Sequence, residues 1–192
     1  MMKRRQIWLV RHGETEWARE GRHTGRTDLP LTAQGRQEAR AVGSILGGRE
    51  FELVLVSPLR RAVETSGIAG YAGVALLEPD CMEWDYGELN GKTRAEVRAW
   101  LGQDWNIWKG PVPGGETPED VADRARRVLR GLDAVDGDAA IFAHGHFLRI
   151  FTATYLGMQA RAARHWALGT GRVSVLGGEN GYPAILRWNA RD

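Results

Sequence analysis

The sequence of 192 residues contains one cysteine, Cys81, so no disulfide can form within the chain. A fold held together by internal disulfides is excluded, and nothing requires an oxidising compartment. We interpret Cys81 as a small buried thiol. Long apolar runs are also missing: none approaches the roughly 18 residues of a membrane span. The apolar run that starts at residue 7 stops at Arg11, before the core of a secretory signal would be complete. We expect a cytoplasmic protein.

An excess of charge of one sign is lacking as well, because the formal net charge is only +2. A charge this small does not argue for a polyanionic partner. Arg124, Arg127 and Arg130 are expected to lie on the outward face of a helix, and no aromatic platform alternates with them as in a nucleic-acid-binding surface. We therefore expect no nucleic acid and no membrane as partner. The sequence does not indicate an oligomeric state.

Internal repeats and low-complexity segments are absent, and the length suits one well-buried domain. Short apolar runs alternate with longer helical patterns, which is typical of an α/β fold. Residues 6–10, 51–56 and 138–143 are too short and too continuously apolar for amphipathic helices. They are predicted to be buried, largely parallel strands. Near the C-terminus an Asn-Gly pair between two strand-like segments predicts a hairpin at one edge of the sheet.

Two helix starts are visible in the sequence. Ser57 is a candidate cap with Pro58 at the first helical position, which predicts a helix through residues 59–70. Thr117 is the candidate cap of a second helix, with Asp120 in the capping-box position. The apolar residues of this second helix fall on one face. These residues are Val121, Ala125, Val128, Leu129 and Leu132.

Basic and imidazole side chains follow the three predicted buried strands. The residues at these strand ends are Arg11, His12, Ser57, Arg60, His144 and Gly145. The carboxyl ends of parallel strands meet at one edge of an open sheet, where ligands bind. Two histidines and two arginines should therefore converge, with helix N-termini adding positive potential. Such a site calls for an anion, and we predict a phosphoryl group. Glycines after both histidines would allow a ligand to approach the backbone closely.

Five segments in order resemble the histidine phosphatase superfamily, which includes the cofactor-dependent phosphoglycerate mutases. They are RHGETEW, TGRTDLPLTAQGRQEA, SPLRRAVET, EWDYGELNG and AHGHFLR, and they cover most of residues 7–150. These motifs look most like those of the bacterial acid-phosphatase-type members and the related sugar-bisphosphatase branch. The resemblance implies a three-layer α/β/α sandwich of phosphoglycerate mutase type, with a mostly parallel central sheet and an antiparallel edge.

The resemblance also implies roles for particular residues. His12 matches the nucleophile that becomes phosphorylated, Glu83 matches the proton donor, and the residues that hold phosphoryl oxygens correspond to Arg11, Arg60 and His144. These types suit the chemistry, because arginine offers a planar fork of permanent charge and neutral imidazole can attack phosphorus near neutral pH. His144 should carry a proton when phosphate is bound. Glu83 must be protonated to assist the leaving group and ionised to activate water.

The resemblance gives further, softer assignments. Thr24 and Gly25 match positions that contact phosphate through a hydroxyl and a backbone N–H, and Gly145 is expected beside the same group. Tyr86 and Arg94 fall where the mutases contact their substrate. Two further positions, Ala18 and His146, depart from the mutase pattern, since the mutases commonly have asparagine at both.

The segment at residues 92–117 is shorter than in the mutases and has no adjacent pair of arginines. It contains Trp100, Trp105 and Trp108, followed by a Pro/Gly-rich turn. We expect part of a lid here, with one or more tryptophans lining the pocket. The alternative is that the indoles simply pack on the core.

We therefore predict a single-domain, metal-independent phosphatase that hydrolyses small phosphomonoesters, including phosphosugars, through a phosphohistidine on His12. No cofactor is expected, and the partner is a small phosphorylated substrate. A phosphoglycerate mutase is the first alternative, and a non-catalytic phosphate-binding module is the second. A metallohydrolase built on the pair His144 and His146 is disfavoured, because no carboxylate cluster lies in the same motif.

Overall fold

A six-stranded sheet forms the centre of the molecule in this computed structural model, which describes residues 5–191. The spatial order of the strands is β3-β2-β4-β1-β5-β6. Their bounds are β1 Ile7–Arg11, β2 Leu53–Val56, β3 Ala75–Leu77, β4 Ala139–Ala143, β5 Val173–Glu179 and β6 Tyr182–Ala190. The three predicted buried strands are confirmed as β1, β2 and β4, with ends shifted by one or two residues. The short edge strand β3 was not predicted.

The sheet is mostly parallel with an antiparallel edge. Strands β3, β2, β4 and β1 pair in parallel, and β5 joins β1 antiparallel. The hairpin of β5 and β6 confirms the Asn-Gly prediction. Asn180 and Gly181 both have positive φ, at 50° and 86°, which is the geometry that an Asn-Gly hairpin turn requires. The parallel strands β1, β2 and β4 therefore end together at one edge of the sheet.

Helices cover both faces of the sheet. Their bounds are α1 Glu16–Arg19, α2 Ala33–Leu46, α3 Arg60–Ile68, α4 Arg94–Leu101, α5 Pro118–Leu132 and α6 Gly145–Tyr155. Short 3₁₀ helices span Pro79–Cys81, Gly87–Leu89 and Ala160–His165. Alternate residues of β1 point to opposite faces, so Leu9 packs with α5 and α6 while Val10 packs with α2 and α3. The three-layer α/β/α architecture is confirmed.

The start of α3 differs from the prediction. The helix begins at Arg60 with Leu59 as its N-cap, and no side chain caps it. Ser57 does not cap the helix. Its Oγ hydrogen bonds to Nε2 of the buried His144 and accepts from the backbone N–H of Leu59, which precedes the first helical residue. The serine that follows β2 therefore supports an imidazole.

Helix α5 starts as predicted, with Thr117 and Asp120 forming both hydrogen bonds of a capping box. The prediction for Arg124 is wrong, because its side chain is only 8% exposed. It forms two hydrogen bonds to the Glu116 carboxylate, at 2.8 and 2.9 Å. It also donates to the carbonyl oxygens of Asp80 and Met82. Arg124 thus ties α5 to the backbone just before Glu83.

Cys81 is a buried thiol, as predicted, and burial raises its pKa well above the usual value. Within residues 5–191, no helix combines the length and the apolar character needed to cross a lipid bilayer.

Replacing the buried Arg124 tests how much this tie contributes to stability. We expect Arg124→Met to lower the free energy of unfolding by about 3–5 kcal/mol, because Glu116 loses its buried partner. The exposed Arg130 on the same helix is the matched control, and Arg130→Met should change stability by less than about 0.5 kcal/mol. Urea denaturation of the three proteins measures both values. Equal stability of the two variants would contradict the structural role of Arg124.

Candidate active site

A pocket of about 230 Å³ lies at the carboxyl ends of β1, β2 and β4. Most of the predicted site residues line this pocket. They are Arg11, His12, Thr24, Glu83, Tyr86, Arg94 and Gly145. His144 is fully buried directly beside His12, with ring centroids 5.1 Å apart. Three predicted residues, namely His144, Gly25 and Arg60, are not part of the pocket lining.

Arg61, and not Arg60, is the arginine that α3 brings to the two histidines. Its Nε lies 3.3 Å from Nε2 of His12 and 3.2 Å from Nδ1 of His144, so one N–H is shared between the two rings. Its Nη1 and Nη2 donate to the carbonyl oxygens of Thr27 and Gly25, each at 2.8 Å. Burial lowers the pKa of Arg61 to about 10. This pKa is still well above neutral pH, so Arg61 keeps its positive charge between the two imidazole rings.

The prediction that Arg60 belongs to the cluster is corrected by its position on the helix. Arg60 is 60% exposed and forms an ion pair with Glu64, one turn further along α3. Its backbone N–H donates to the carboxylate of Asp28. Successive helical residues point about 100° apart, so only one of the two arginines can face the pocket. The Glu64 partner at a spacing of four residues was the available sign that Arg60 faces solvent.

His12 is held with one ring nitrogen directed at the pocket. Its Nδ1 lies 2.7 Å from the carbonyl oxygen of Gly13, which can only accept, so Nδ1 carries the proton. Nε2 therefore keeps its lone pair, which accepts from the Nε–H of Arg61. Burial, together with the charges of Arg61 and Arg11, keeps the pKa of His12 well below its usual value. The ring is neutral near pH 7, which is the form that a nucleophile needs.

His144 has the opposite tautomer. Its Nδ1 accepts from Arg61, and its Nε2 lies 2.7 Å from Oγ of Ser57, so the proton is on Nε2. Burial and the nearby charge of Arg61 keep the pKa of His144 well below its usual value. An anion bound between the two rings would oppose this effect and favour protonation of His144.

Arg11 lines the pocket and has one buried donor without a protein partner in the described part of the chain. Its Nη1 donates to the carbonyl oxygen of Leu168, whereas its buried Nε has no hydrogen-bond partner within residues 5–191. A Cβ on Gly145 would lie 3.1 Å from the guanidinium carbon of Arg11. The glycine after His144 thus makes room for this arginine as well as lining the pocket. A buried donor of this kind suits an oxyanion ligand.

The backbone that carries His12 is packed directly on α2. A Cβ on Gly13 would overlap the carbonyl oxygen of Gly35, and a Cβ on Gly35 would overlap that of Glu14. The glycine after the nucleophile was predicted to admit a ligand. The structure instead shows that it admits the main chain of a helix.

Glu83 faces the pocket from the opposite side, and its carboxylate is held by backbone donors. Oε1 accepts from the N–H groups of Trp84 and Phe147, both at 2.9 Å, and Oε2 accepts from that of His146 at 3.1 Å. The N-terminus of α6 was expected to serve the phosphate. Two of its N–H groups serve Glu83, which leaves Oε2 with a lone pair for a proton.

The outer wall contains two residues that the sequence reasoning missed, His23 and Arg149. Arg149 comes three residues after His146 on α6, and this spacing on one helix face was the available signal. Tyr86 hydrogen bonds through its hydroxyl to Nδ1 of His146, and burial raises the pKa of Tyr86 well above its usual value. Arg94, at the start of α4, completes this wall.

Thr24 lines the pocket beside Ala18, whose methyl group stands where the mutase pattern has an asparagine. Gly25 lies beneath Thr24, with its carbonyl oxygen bonded to Arg61. The predicted phosphate contacts of Thr24 and of the Gly25 N–H stay predictions.

Trp105 and Trp108 are 6% and 9% exposed and belong to the larger hydrophobic core. They also line a second cavity, which lies against the first. The interpretation that the indoles pack on the core is therefore confirmed, and neither Trp105 nor Trp108 lines the pocket that contains His12. Trp100 is exposed, with Lys92 over its ring. The lid at residues 92–117 stays a prediction.

His144 and His146 do not share a common ligand position, because the ring of the first is bonded to Ser57 and that of the second to Tyr86. Within residues 5–191, no three His, Cys, Asp or Glu side chains are grouped as a metal site would need.

This geometry agrees with a family relationship found by comparison with known proteins. The model of the histidine phosphatase superfamily (branch 1) matches residues 7–191. The chain belongs to this superfamily. The acid phosphatase of Mycobacterium tuberculosis is 34% identical over 184 residues, covering 94% of this histidine phosphatase and 90% of the relative. The sedoheptulose 1,7-bisphosphatase of Saccharomyces cerevisiae is 31% identical, covering 78% of this chain and 67% of the relative.

Solved structures share the fold over nearly the whole length of this histidine phosphatase. A Mycobacterium tuberculosis open reading frame superposes with a TM-score of 0.91 at 31% identity, covering 97% of this chain and 98% of that one. A mycobacterial glucosyl-3-phosphoglycerate phosphatase in complex with VO3 gives a TM-score of 0.87 at 28% identity, covering 97% and 99%. The phosphoglycerate mutase type of fold is thereby confirmed.

The adjacent arginines of α3 allow a direct test of the corrected site. We expect Arg61→Met to lower kcat on p-nitrophenyl phosphate by about 10²- to 10³-fold, as for loss of one donor to developing charge. Arg60→Met should stay within about threefold of the parent, because its ion pair with Glu64 is exposed. Steady-state kinetics on both variants, with circular dichroism to confirm folding, gives the answer. A larger loss for Arg60→Met would restore the original assignment.

The buried neutral histidines predict that stability decreases on acidification. Burial lowers the pKa values of His12, His144 and His146, so below about pH 6.5 the unfolded chain binds protons that the folded chain does not. Each histidine should then remove about 1 kcal/mol of unfolding free energy between about pH 7.5 and about pH 5.5. Urea denaturation in phosphate-free buffer measures the decrease.

Two single variants identify the source of this pH dependence. His146→Asn should reduce the loss of stability by about 1 kcal/mol, whereas His165→Asn, at an exposed site, should leave the loss unchanged. An identical pH dependence in both variants would show that His146 does not contribute.

Proposed function

We propose that this histidine phosphatase hydrolyses small phosphomonoesters through a phosphohistidine on His12, with Glu83 as the proton donor. The observation that carries the proposal is the fixed tautomer of His12. Its Nδ1 proton is bound to the carbonyl oxygen of Gly13, so Nε2 keeps a lone pair, which a phosphorus atom can take over from the Arg61 N–H. His12 and Glu83 line the same pocket. A nucleophile and a proton donor in one pocket are what phosphomonoester cleavage requires.

In the first step the phosphoryl group binds beside Arg11, Arg61 and His144. Their positive charge neutralises the equatorial oxygens, which is the main requirement of phosphoryl transfer. His12 Nε2 then forms a bond to phosphorus while the bond from phosphorus to the ester oxygen breaks. Glu83 gives its proton to the departing oxygen, so the alcohol leaves neutral and the phosphoryl group stays on His12.

In the second step Glu83 is ionised and accepts a proton from a water molecule. The water oxygen attacks phosphorus, the bond to Nε2 breaks, and inorganic phosphate and neutral His12 are formed. The backbone N–H groups on Oε1 hold the carboxylate in the same place for both steps. Catalysis by a positioned acid-base group of this kind is typically worth about 10²- to 10⁴-fold.

Phosphosugars are the substrate class that the relatives favour. One relative is named a sedoheptulose 1,7-bisphosphatase, and one structural neighbour a glucosyl-3-phosphoglycerate phosphatase. A cavity of about 230 Å³ has room for the phosphoryl group and part of a small sugar. The proposed compartment is the cytoplasm, since a chain with one buried thiol does not require an oxidising environment.

A phosphoglycerate mutase activity is the second candidate. A 2,3-bisphosphoglycerate-dependent phosphoglycerate mutase of Gloeobacter violaceus is 36% identical, covering 73% of this chain and 71% of the relative. A mutase must return the phosphoryl group to the substrate, whereas a phosphatase lets water accept it. Ala18 and the short segment at residues 92–117 depart from the mutase pattern and favour hydrolysis.

The fate of the phosphoryl group distinguishes the two activities. We expect the protein to release inorganic phosphate from sugar phosphates and from p-nitrophenyl phosphate, and to form little 2-phosphoglycerate from 3-phosphoglycerate. His12→Ala should lower hydrolysis by about 10³-fold or more, because the nitrogen that attacks phosphorus is removed. His165→Ala, at an exposed site, is the matched control. Phosphate release and 2-phosphoglycerate are measured in the same reaction.

Either of two results would contradict the proposal. Appreciable 2-phosphoglycerate without comparable phosphate release would identify a mutase. Hydrolysis by His12→Ala at the parent rate would remove the proposed nucleophile.

A further inference from the structure

A second cavity, of about 200 Å³, lies against the phosphate pocket. Four residues line both spaces, namely His23, Arg94, His146 and Arg149. A substrate whose phosphate lies beside His12 would therefore direct its far end toward the second cavity. The back of this cavity is formed by the loop that carries Trp105 and Trp108.

The charge of the second cavity is of one sign. Arg94, Arg149 and Arg164 line it, and no Asp or Glu of the described residues does so. Neither Arg94 nor Arg149 forms an ion pair with any carboxylate within residues 5–191. Cations without a carboxylate partner in a partly enclosed space favour an anionic ligand.

Arg149 is held in position and still has hydrogen-bond donors available for a ligand. Its Nε donates to the carbonyl oxygen of Ala163 at 3.1 Å, and its guanidinium carbon lies 4.6 Å from the centre of the Trp108 ring. Its two Nη groups have no hydrogen-bond partner in the described part of the chain. Burial lowers the pKa of Arg149 to about 10, so the side chain is still charged at neutral pH. A stacked, half-buried guanidinium with free Nη groups is suited to a carboxylate or a phosphate.

The aromatic wall keeps this arginine from moving. Trp105 donates through its indole N–H to the carbonyl oxygen of Pro111, and Trp108 packs edge-on against Trp84 and His146. A preorganised donor costs less entropy on binding than a mobile one.

The phosphate cradle does not need these additional charges. Arg11 and Arg61 already balance the two negative charges of the dianionic phosphoryl group. Arg22 lines the same pocket but is paired with Glu20 and Glu96. The charges of Arg94, Arg149 and Arg164 thus remain for another part of the ligand.

We infer that the second cavity binds a second anionic group of the substrate, a carboxylate or a phosphate, with Arg149 as its main contact and Arg94 and Arg164 at its rim. The inference rests on the proposed phosphatase function. It restricts the substrate class to phosphomonoesters that carry another anion at their far end.

A matched series of alkyl phosphates tests this inference. The three esters are hydroxypentyl phosphate, carboxypentyl phosphate and pentanediol bisphosphate, which differ only in the group at the far end. We expect kcat/KM to be at least about tenfold higher for an anionic end than for the hydroxyl end. The two anionic esters show whether a carboxylate or a phosphate is preferred.

Substitution of the arginines locates the effect. Arg149→Met should reduce the preference for the anionic end by about 10- to 100-fold, the value of a charged hydrogen bond. Arg164→Met, on the exposed rim, should reduce it less and is the safer variant for folding. Arg130→Met removes the same charge at a remote exposed site and should keep the preference of the parent protein.

The possible failures can be told apart. Equal kcat/KM for all three esters, with normal hydrolysis of p-nitrophenyl phosphate, would overturn the second anion site and leave the phosphatase function intact. An anionic preference unchanged in both Arg149→Met and Arg164→Met would also overturn it. Hydrolysis of none of the esters, p-nitrophenyl phosphate included, would overturn the phosphatase function and this inference with it.

Discussion

The buried guanidinium of Arg61 is the group on which the rest of the site depends. It shares one N–H between His12 and His144 and gives its other donors to the carbonyl oxygens of Gly25 and Thr27. Each ring must then offer a lone pair to the same side and keep its proton on the other. This one charge thus favours both tautomers, adds to burial in lowering the pKa of both histidines, and holds the turn that follows Thr24.

The acid side of the site depends on a separate set of contacts. The N-terminus of α6 binds the Glu83 carboxylate, and Arg124 binds the backbone carbonyl groups that precede it. Helix N-termini often bind phosphate groups. Here that positive potential orients Glu83, the proposed proton donor, while side chains from β1, α3 and the end of β4 supply the positive charge beside His12. His12 and Glu83 are therefore positioned by separate sets of contacts.

The sequence was sufficient for the positions of strands β1, β2 and β4 in the chain, for the Asn-Gly hairpin and for the convergence of His12 and His144 at one edge of the sheet. Glu83 was assigned through the family resemblance alone. It was insufficient wherever the rotation of a helix decides the outcome. Side chains at adjacent helical positions point about 100° apart around the helix axis. A small rotation of the predicted helix therefore decides whether Arg60 or Arg61 faces the pocket. Arg124 and Arg149 were not assigned to buried positions, because their partners are backbone carbonyl groups and an indole ring, which leave no sequence pattern.

The contact of Gly13 with Gly35 has a consequence for how this protein could change its specificity. Backbone packs directly on backbone there. Beneath His12 there is thus no side chain at Gly13 or Gly35 whose size or charge a substitution could change. The outer wall is built differently, from α4, one face of α6 and a loop that carries two tryptophans. A change of substrate would therefore require substitutions in that wall. The residues that cleave the ester bond could stay the same for many different esters.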